Sequence, residues 1–150
     1  MILRPDGVLQ VQSGVGNLGT HSLFEQARVA AEVLDIPWER VEVAWGSTDR
    51  HLPYSCLSVG SQTTHAMTRA AHAAATDGIQ KLQEIAARTL GGSAQSYRVD
   101  GGRVFSGGRS MTLAQAAQRA IVLGGKYDGH EVPENVNAFT KRSAAALVGQ

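Results

Sequence analysis

The chain has 150 residues, a length that suits one ordinary domain with a buried core. With 43% hydrophobic and 18% charged residues and a net charge of +1 it reads as globular, and its interspersed charges form no basic stripe for nucleic acid. No apolar run reaches the length of a membrane span and no signal-like start is present; the single cysteine, Cys56, excludes an internal disulfide and any cysteine-built zinc or iron–sulfur site, so the cytoplasm is the expected compartment.

The opening reads as a hairpin: residues 1–3 are apolar, Pro5-Asp6-Gly7 is a turn, and residues 8–12 alternate apolar and polar. A glycine-rich run, residues 14–19, leads into a helix with Phe24, Ala27, Ala31 and Leu34 on one face, Ser22 and Glu25 at capping-box spacing, and Pro37 at its exit. Val41, Val43 and Trp45 alternate with Glu42 and Ala44, the pattern of a strand with one buried face. Residues 46–60 show no periodicity and are rich in Gly, Ser and Pro; a loop of that length inside a compact domain is usually functional or disordered.

The longest helix is expected from Gln62 to Leu90, with Met67, Ala71, Ala75, Ile79, Leu82 and Ala86 as its stripe, Gly78 as a point of bending, and Gly91-Gly92 as its stop. Its alanines favour close packing on a sheet. A second hairpin follows, Tyr97-Arg98-Val99 and Arg103-Val104-Phe105 around Asp100-Gly101-Gly102. Thr112 and Gln115 have capping-box spacing at the start of a third helix with Leu113, Ala117, Ala120 and Ile121 on its apolar face and Gly124-Gly125 at its end. The expected organisation is an α/β (α+β) subdomain over residues 1–125, in which a mixed sheet of hairpins and one further strand is covered by helices. A tail over residues 126–150 follows, with an unplaced apolar patch at 144–148.

Two segments carry the chemistry. Gly14-Val15-Gly16-Asn17-Leu18-Gly19 lies between a strand and a helix, where glycines let backbone approach a phosphate and helix N–H groups face it. That pattern fits a nicotinamide- or flavin-binding Rossmann half, or a tight connection with no ligand; Gln10 and Gln12 count against a central parallel strand, which should be apolar on both faces. Gly60-Ser61-Gln62-Thr63-Thr64 puts flexible backbone, hydroxyls and an amide at the start of the longest helix. This is a place for an anion or a pterin, or simply a cap supplied by Ser61 or Thr63. His65 and His72 share a helix face without the spacing of metal ligands, His21 and His51 sit in the two loops, and His130 has no evident role. Cys56 has no neighbouring base, and Ser61 lacks a nucleophile-elbow context.

Taken in order, these landmarks resemble the molybdenum hydroxylase family of xanthine dehydrogenases, aldehyde oxidases and isoquinoline oxidoreductases. They are Asp6-Gly7 before Val8-Leu9-Gln10-Val11, Ser13-Gly14, Asn17-Leu18-Gly19-Thr20-His21, Val29-Ala30-Ala31-Glu32-Val33-Leu34 with Ile36-Pro37, Val41-Glu42-Val43, Gly46-Ser47-Thr48-Asp49, Pro53, and Gly60-Ser61-Gln62-Thr63-Thr64 before an alanine-rich helix. The resemblance implies a molybdopterin-binding subdomain. Gly19 and Thr20, with His21 beside them, would lie by the cofactor from the first loop, and Gly60, Ser61, Gln62, Thr63 and Thr64 from the second, so that Gly19 and Ser61 would share one rim. The family commonly has glutamine between two glycines in the first loop; here Gly19-Thr20-His21 stands there, and Thr20 lacks an amide's reach.

The resemblance further implies an oxidoreductase that hydroxylates aldehydes or N-heterocycles with oxygen from water. Its partners would be the remaining parts of the molybdenum subunit and an iron–sulfur subunit. The family's general base, a glutamate in a Gly-rich motif near the subunit's C-terminus, has no counterpart, since Glu131 and Glu134 lack that context. The chain is therefore expected to be an inactive segment of a larger enzyme that self-associates when isolated. The alternative is a non-catalytic interaction or assembly module with the same fold.

Overall fold

The computed structural model describes residues 1–47, 49, 52, 53, 55 and 57–128; His51, Cys56, His130, Glu131, Glu134 and the 144–148 patch lie outside the described residues. The chain divides into two compact units, Met1–Arg119 and Ala120–Gln150. Everything that positions the candidate site lies in the first.

Strands β1 (Ile2–Leu3) and β2 (Leu9–Gln12) form the expected antiparallel hairpin, with Ile2 opposite Gln10. Its turn closes through Gly7, whose φ of +83° only glycine adopts without strain, and through the Asp6 carboxylate, which accepts the Val8 N–H at 3.1 Å. Helix α1 (Ser22–Val33) then crosses back so that β3 (Val41–Ala44) lies parallel to β2, from Leu9↔Val41 to Gln12↔Ala44. A parallel pair needs such a crossover. The first sheet is thus mixed, in the order β1-β2-β3.

α1 leaves the helical path by a hydrogen-bonded C-terminal motif. Ile36 N–H reaches back to the Ala31 carbonyl and Asp35 N–H to that of Glu32, with Asp35 in the left-handed region at φ +48°. Pro37 follows and cannot rejoin the helix. The Asp35 carboxylate also accepts the Gly101 N–H, tying the end of α1 to the second sheet.

Helix α2 (Gln62–Leu90) runs unbroken through Gly78 and packs along α1. Gly78 faces Leu34, whose Cδ2 would lie 3.8 Å from a Cβ there, an ordinary contact. Beyond α2, β4 (Arg98–Asp100), β5 (Arg103–Ser106) and β6 (Arg109–Thr112) form a second, antiparallel sheet, and α3 (Leu113–Leu123) follows directly. Tyr97, fully buried, donates its hydroxyl to the Gly91 carbonyl at 2.6 Å, while its own carbonyl accepts Gln83 Nε2 at 2.7 Å. These bonds fasten the entry of β4 to the end of α2.

The α/β class holds, with the strands shared between two small sheets because the 29-residue α2 separates the hairpins in sequence. Several local expectations change. Phe24 is exposed, and the buried face of α1 is Ser22, Leu23, Gln26, Ala27, Ala30 and Ala31; a buried polar pair replaces the apolar side chain that the periodicity demanded. Trp45 lies past the end of β3 and is exposed, while Ala44 is buried. Ile121 is exposed, whereas Leu113, Ala116 and Ala117 are buried. Ser22 is the first helical residue and not a cap.

Candidate functional site

The geometry of the first sheet decides where the two glycine-rich loops go. β2 and β3 are parallel neighbours whose last paired residues, Gln12 and Ala44, lie opposite each other, so both loops leave from the carboxyl ends of adjacent strands. Crevices outside the carboxyl ends of parallel strands are the usual ligand sites of α/β sheets. Each loop then enters a helix.

The first loop starts from a fixed base. Ser13 N–H donates to the Ala44 carbonyl at 2.9 Å, and Ser13 Oγ accepts both Gln26 Nε2 at 2.7 Å and Val15 N–H at 3.2 Å. Ser13 and Gln26 are both buried, so this polar pair is satisfied away from water. Further out, Asn17 Oδ1 accepts the Gly19 N–H at 3.0 Å, an Asx turn that sets the backbone before the helix. Gly19 has φ +85° and His21 φ +54°.

The second loop ends in the same way. Gly60 has φ +63° and Ser61 φ +57°, and Gln62 Nε2 donates to the Leu57 carbonyl at 2.7 Å. His21 and Ser61 are therefore both left-handed residues at the N-cap positions of α1 and α2, and neither caps its helix with a side chain. A non-glycine residue in that region is uncommon and points to a constrained or functional turn. Here neither helix start has a side-chain cap; Phe24 N–H donates to the His21 carbonyl at 2.9 Å and Gln62 N–H to the Val59 carbonyl at 3.4 Å, which leaves the other first-turn N–H groups as the candidate donors.

Of the residues singled out from sequence, Gly19, Thr20, His21, Gly60, Ser61 and Thr64 are exposed, and Gln62 and Thr63 half-buried. A Cβ at Gly19 or Gly60 would meet nothing within 4 Å, so these glycines serve conformation and leave open backbone. Thr20 Oγ1 turns back to Ser22 Oγ at 3.3 Å, and the His21 ring lies 6.1 Å from that of Phe24. The Gln62 amide nitrogen is engaged in its own loop, leaving its carbonyl oxygen for a ligand. The capping alternative does not hold: Ser61, at the N-cap position, makes no side-chain cap bond, and Thr63 lies inside α2.

Sequence reasoning missed Ser13, Gln26 and the special place of Gly14. A Cβ built on Gly14 would stand 1.9 Å from the Pro53 carbonyl oxygen and 3.4 Å from Ser55 N, so the two loops touch at this glycine. Glutamine among the small and apolar residues of the buried helix face was the available signal for the Ser13–Gln26 pair.

Open glycine backbone, two uncapped helix starts and exposed hydroxyls form a donor set suited to a ligand rich in anionic and carbonyl oxygens. Among the described residues no cluster of three or more His, Cys, Asp or Glu side chains is placed to hold a metal ion. No described helix is long and apolar enough to cross a membrane.

Comparison with known proteins agrees with this chemistry. The family model of the molybdopterin cofactor-binding domain matches residues 1–146. The aldehyde oxidoreductase molybdenum-binding subunit PaoC of Escherichia coli O157:H7 is 32% identical over 153 aligned positions, covering 92% of this chain and 20% of the relative. The same subunit from strain K12 matches to the same extent. The chain therefore spans about one-fifth of the length of these curated relatives. Quinoline 2-oxidoreductase from Pseudomonas putida 86 shares the fold, with a TM-score of 0.56 at 21% identity over 89% of this chain and 16% of that one.

Proposed function

Because this chain belongs to the molybdopterin cofactor-binding domain family, we propose that its two loops form one wall of a molybdopterin cradle in a larger oxidoreductase. The observation that carries the reading is the shared origin of the loops at Gln12 and Ala44, each ending at an uncapped helix start. In this reading Gly19, Thr20 and His21 meet the cofactor from the first loop, and Gly60, Ser61, Gln62, Thr63 and Thr64 from the second. Positive-φ backbone at Gly19 and Gly60 gives close approach, and the first-turn N–H groups of α1 and α2 other than those of Phe24 and Gln62 orient anionic or carbonyl oxygens. When bound, the cofactor supplies the redox chemistry. This chain's own residues bind and orient it.

The wider assignment follows the family. The parent oxidoreductase, of xanthine dehydrogenase or aldehyde oxidase type, would hydroxylate aldehydes or N-heterocycles. The rest of the molybdenum subunit and an iron–sulfur subunit would be its partners, and the cytoplasm its location. Residues 1–125 would form the cofactor-binding part and 126–150 a tail leading onward. The name of the E. coli relative supports the aldehyde side of this proposal.

The test is a titration of the purified chain with molybdenum cofactor released from a donor enzyme, followed by the pterin's fluorescence. Saturable binding that weakens on Gly60→Val supports the cradle, and absence of binding under conditions where the chain is folded rejects it. A second reading, a non-catalytic assembly module with the same fold, is favoured by the Thr20 hydroxyl, which turns to Ser22. Thr20→Gln separates the two: restoring an amide should tighten cofactor binding in a cradle and leave an assembly module unaffected.

A further inference from the structure

We propose that Gly14 is a positioning residue that fixes the spacing of the two loops by letting the Pro53 backbone lie directly against the end of β2. The packing argument is independent of the cofactor; its functional consequence rests on the cradle reading above.

Three observations converge. First, Gly14 is not among the residues with positive φ, so its backbone is open to any side chain and the reason for glycine must be steric. Second, the obstacle is backbone. A Cβ would lie 1.9 Å from the Pro53 oxygen, 3.2 Å from its carbonyl carbon and 3.4 Å from Ser55 N. A side chain could rotate away, but a peptide unit can move only with its loop. The Pro53 carbonyl would have to withdraw from 1.9 Å to at least 3.0 Å, the limit below which something must shift. Third, the other side cannot yield. Ser13, one residue earlier, is buried and tied to β3 through the Ala44 carbonyl and to α1 through Gln26. The strain of a side chain at position 14 therefore passes to the second loop.

Gly16 supplies the contrast. It lies in the same run, also lacks a positive φ, and a Cβ there would meet nothing within 4 Å. The first glycine of the run acts through close approach, the last through conformation, and the middle one is unconstrained by either. Because Pro53 and Gly60 belong to the same connection between β3 and α2, retreat of the Pro53 segment displaces the second wall of the cradle relative to the first. A misplacement of about 1 Å in a preorganised site can cost on the order of 100-fold in an enzyme's rate; for binding across the two walls a loss of cofactor affinity of about tenfold is expected.

The experiment compares ¹⁵N-labelled wild type, Gly14→Ala and Gly16→Ala, each as the full chain without cofactor. In Gly14→Ala the amides of Ser55, Leu57 and Val59 should shift and exchange faster with solvent, while Val11, Leu23 and Ala27 keep their protection. Gly16→Ala should resemble wild type at both sets. If Gly14→Ala gives the Gly16→Ala pattern, the proposal is wrong. Should Gly14→Ala fail to fold, inserting one glycine after Pro53 gives the segment room to withdraw. The fold should then return with the second-loop amides still displaced, and failure to return rejects the mechanism. The same variants are titrated with released molybdenum cofactor. A tenfold or greater weakening confined to Gly14→Ala supports the positioning role, and equal affinity in all folded variants overturns it. If the wild type itself does not bind, the cradle reading falls while the amide comparison still decides whether Gly14 sets the loop spacing.

Discussion

Ser13 and Gln26 show how a single buried pair organises the site's base. Replacing Ser13 with alanine leaves Gln26 Nε2 without its 2.7 Å acceptor at a position only 5% exposed. An orphaned buried donor costs about 1–3 kcal/mol, so urea unfolding of Ser13→Ala should show a loss of that size. The double variant Ser13→Ala with Gln26→Leu should recover part of it, since two apolar groups leave no unsatisfied atom; unchanged stability in the single variant would remove the pair from the account of the loop. Asp6 offers a second, smaller test. Its carboxyl lies below the ordinary value of 3.8, chiefly through the Val8 N–H and further through Arg4, against a partial opposing effect of desolvation. A depressed folded pKa means the contribution is present above the ordinary carboxylate range and lost as pH falls through the folded midpoint. Asp6→Asn should thus lower stability slightly near neutral pH and not at strongly acid pH, an effect that salt weakens because the group is exposed. Carbon-detected titration of the Asp6 carboxyl checks the direction. At this scale the sequence was half legible: Gly19 and Gly60 stood out as glycines, but the contact that makes Gly14 irreplaceable involves Pro53, remote in sequence, and no local pattern announces it.

At the level of elements, local rules worked where local bonds dominate. The Thr112–Gln115 box forms with both bonds in place, Thr112 N–H to Gln115 Oε1 at 2.9 Å and Gln115 N–H to Thr112 Oγ1 at 3.1 Å. Thr112→Ala should cost about 1 kcal/mol, read as a lower midpoint in thermal unfolding, and an unchanged midpoint would mean that α3 needs no cap. The β4–β5 hairpin turns on Gly101 and Gly102, at φ +55° and +71°, so both central positions have the sign that fits strand twist. Neither meets anything within 4 Å of a Cβ, so Gly102→Ala should cost only the conformational penalty, about 1–2 kcal/mol. The bounds of α2 were readable because a long alanine-rich stripe ends at paired glycines. β6 was not legible because Arg109–Thr112 carries a single buried apolar residue, Met111, and its pairing with β5 across Gly107-Gly108 has no alternating pattern to mark it. The capping box proposed for Ser22 and Glu25 failed for a different reason. αL geometry at His21 replaces the cap, and such geometry at a non-glycine residue is set by tertiary context.

For the molecule as a whole, large apolar side chains exposed to water among the described residues lie on α3 (Ile121 and Val122) and at Trp38, and a further group lies on the two glycine-rich loops and at a strand edge. Leu18 is 69% exposed, Leu57 74% and Val59 59%, and Ile2 sits on the unpaired edge of the first sheet, where β1 is an outer strand. Burying a leucine or valine side chain is worth about 1.5–3 kcal/mol, so a few such residues acting together favour association, and an open strand edge adds hydrogen-bonding groups. The isolated chain should therefore exceed its monomer mass of 15.9 kDa in light scattering at micromolar concentration. The variants assign the surface. If the loops are responsible, Leu57→Ser combined with Val59→Ser shifts the population toward monomer while Ile2→Lys leaves it unchanged; if the edge is responsible, the pattern reverses. Binding of cofactor adds a further discrimination, because a ligand held between the loops should compete with association through Leu57 and Val59 and be indifferent to association through β1. A monodisperse monomer at all concentrations would reject both surfaces and leave these side chains as ordinary exposed apolar groups.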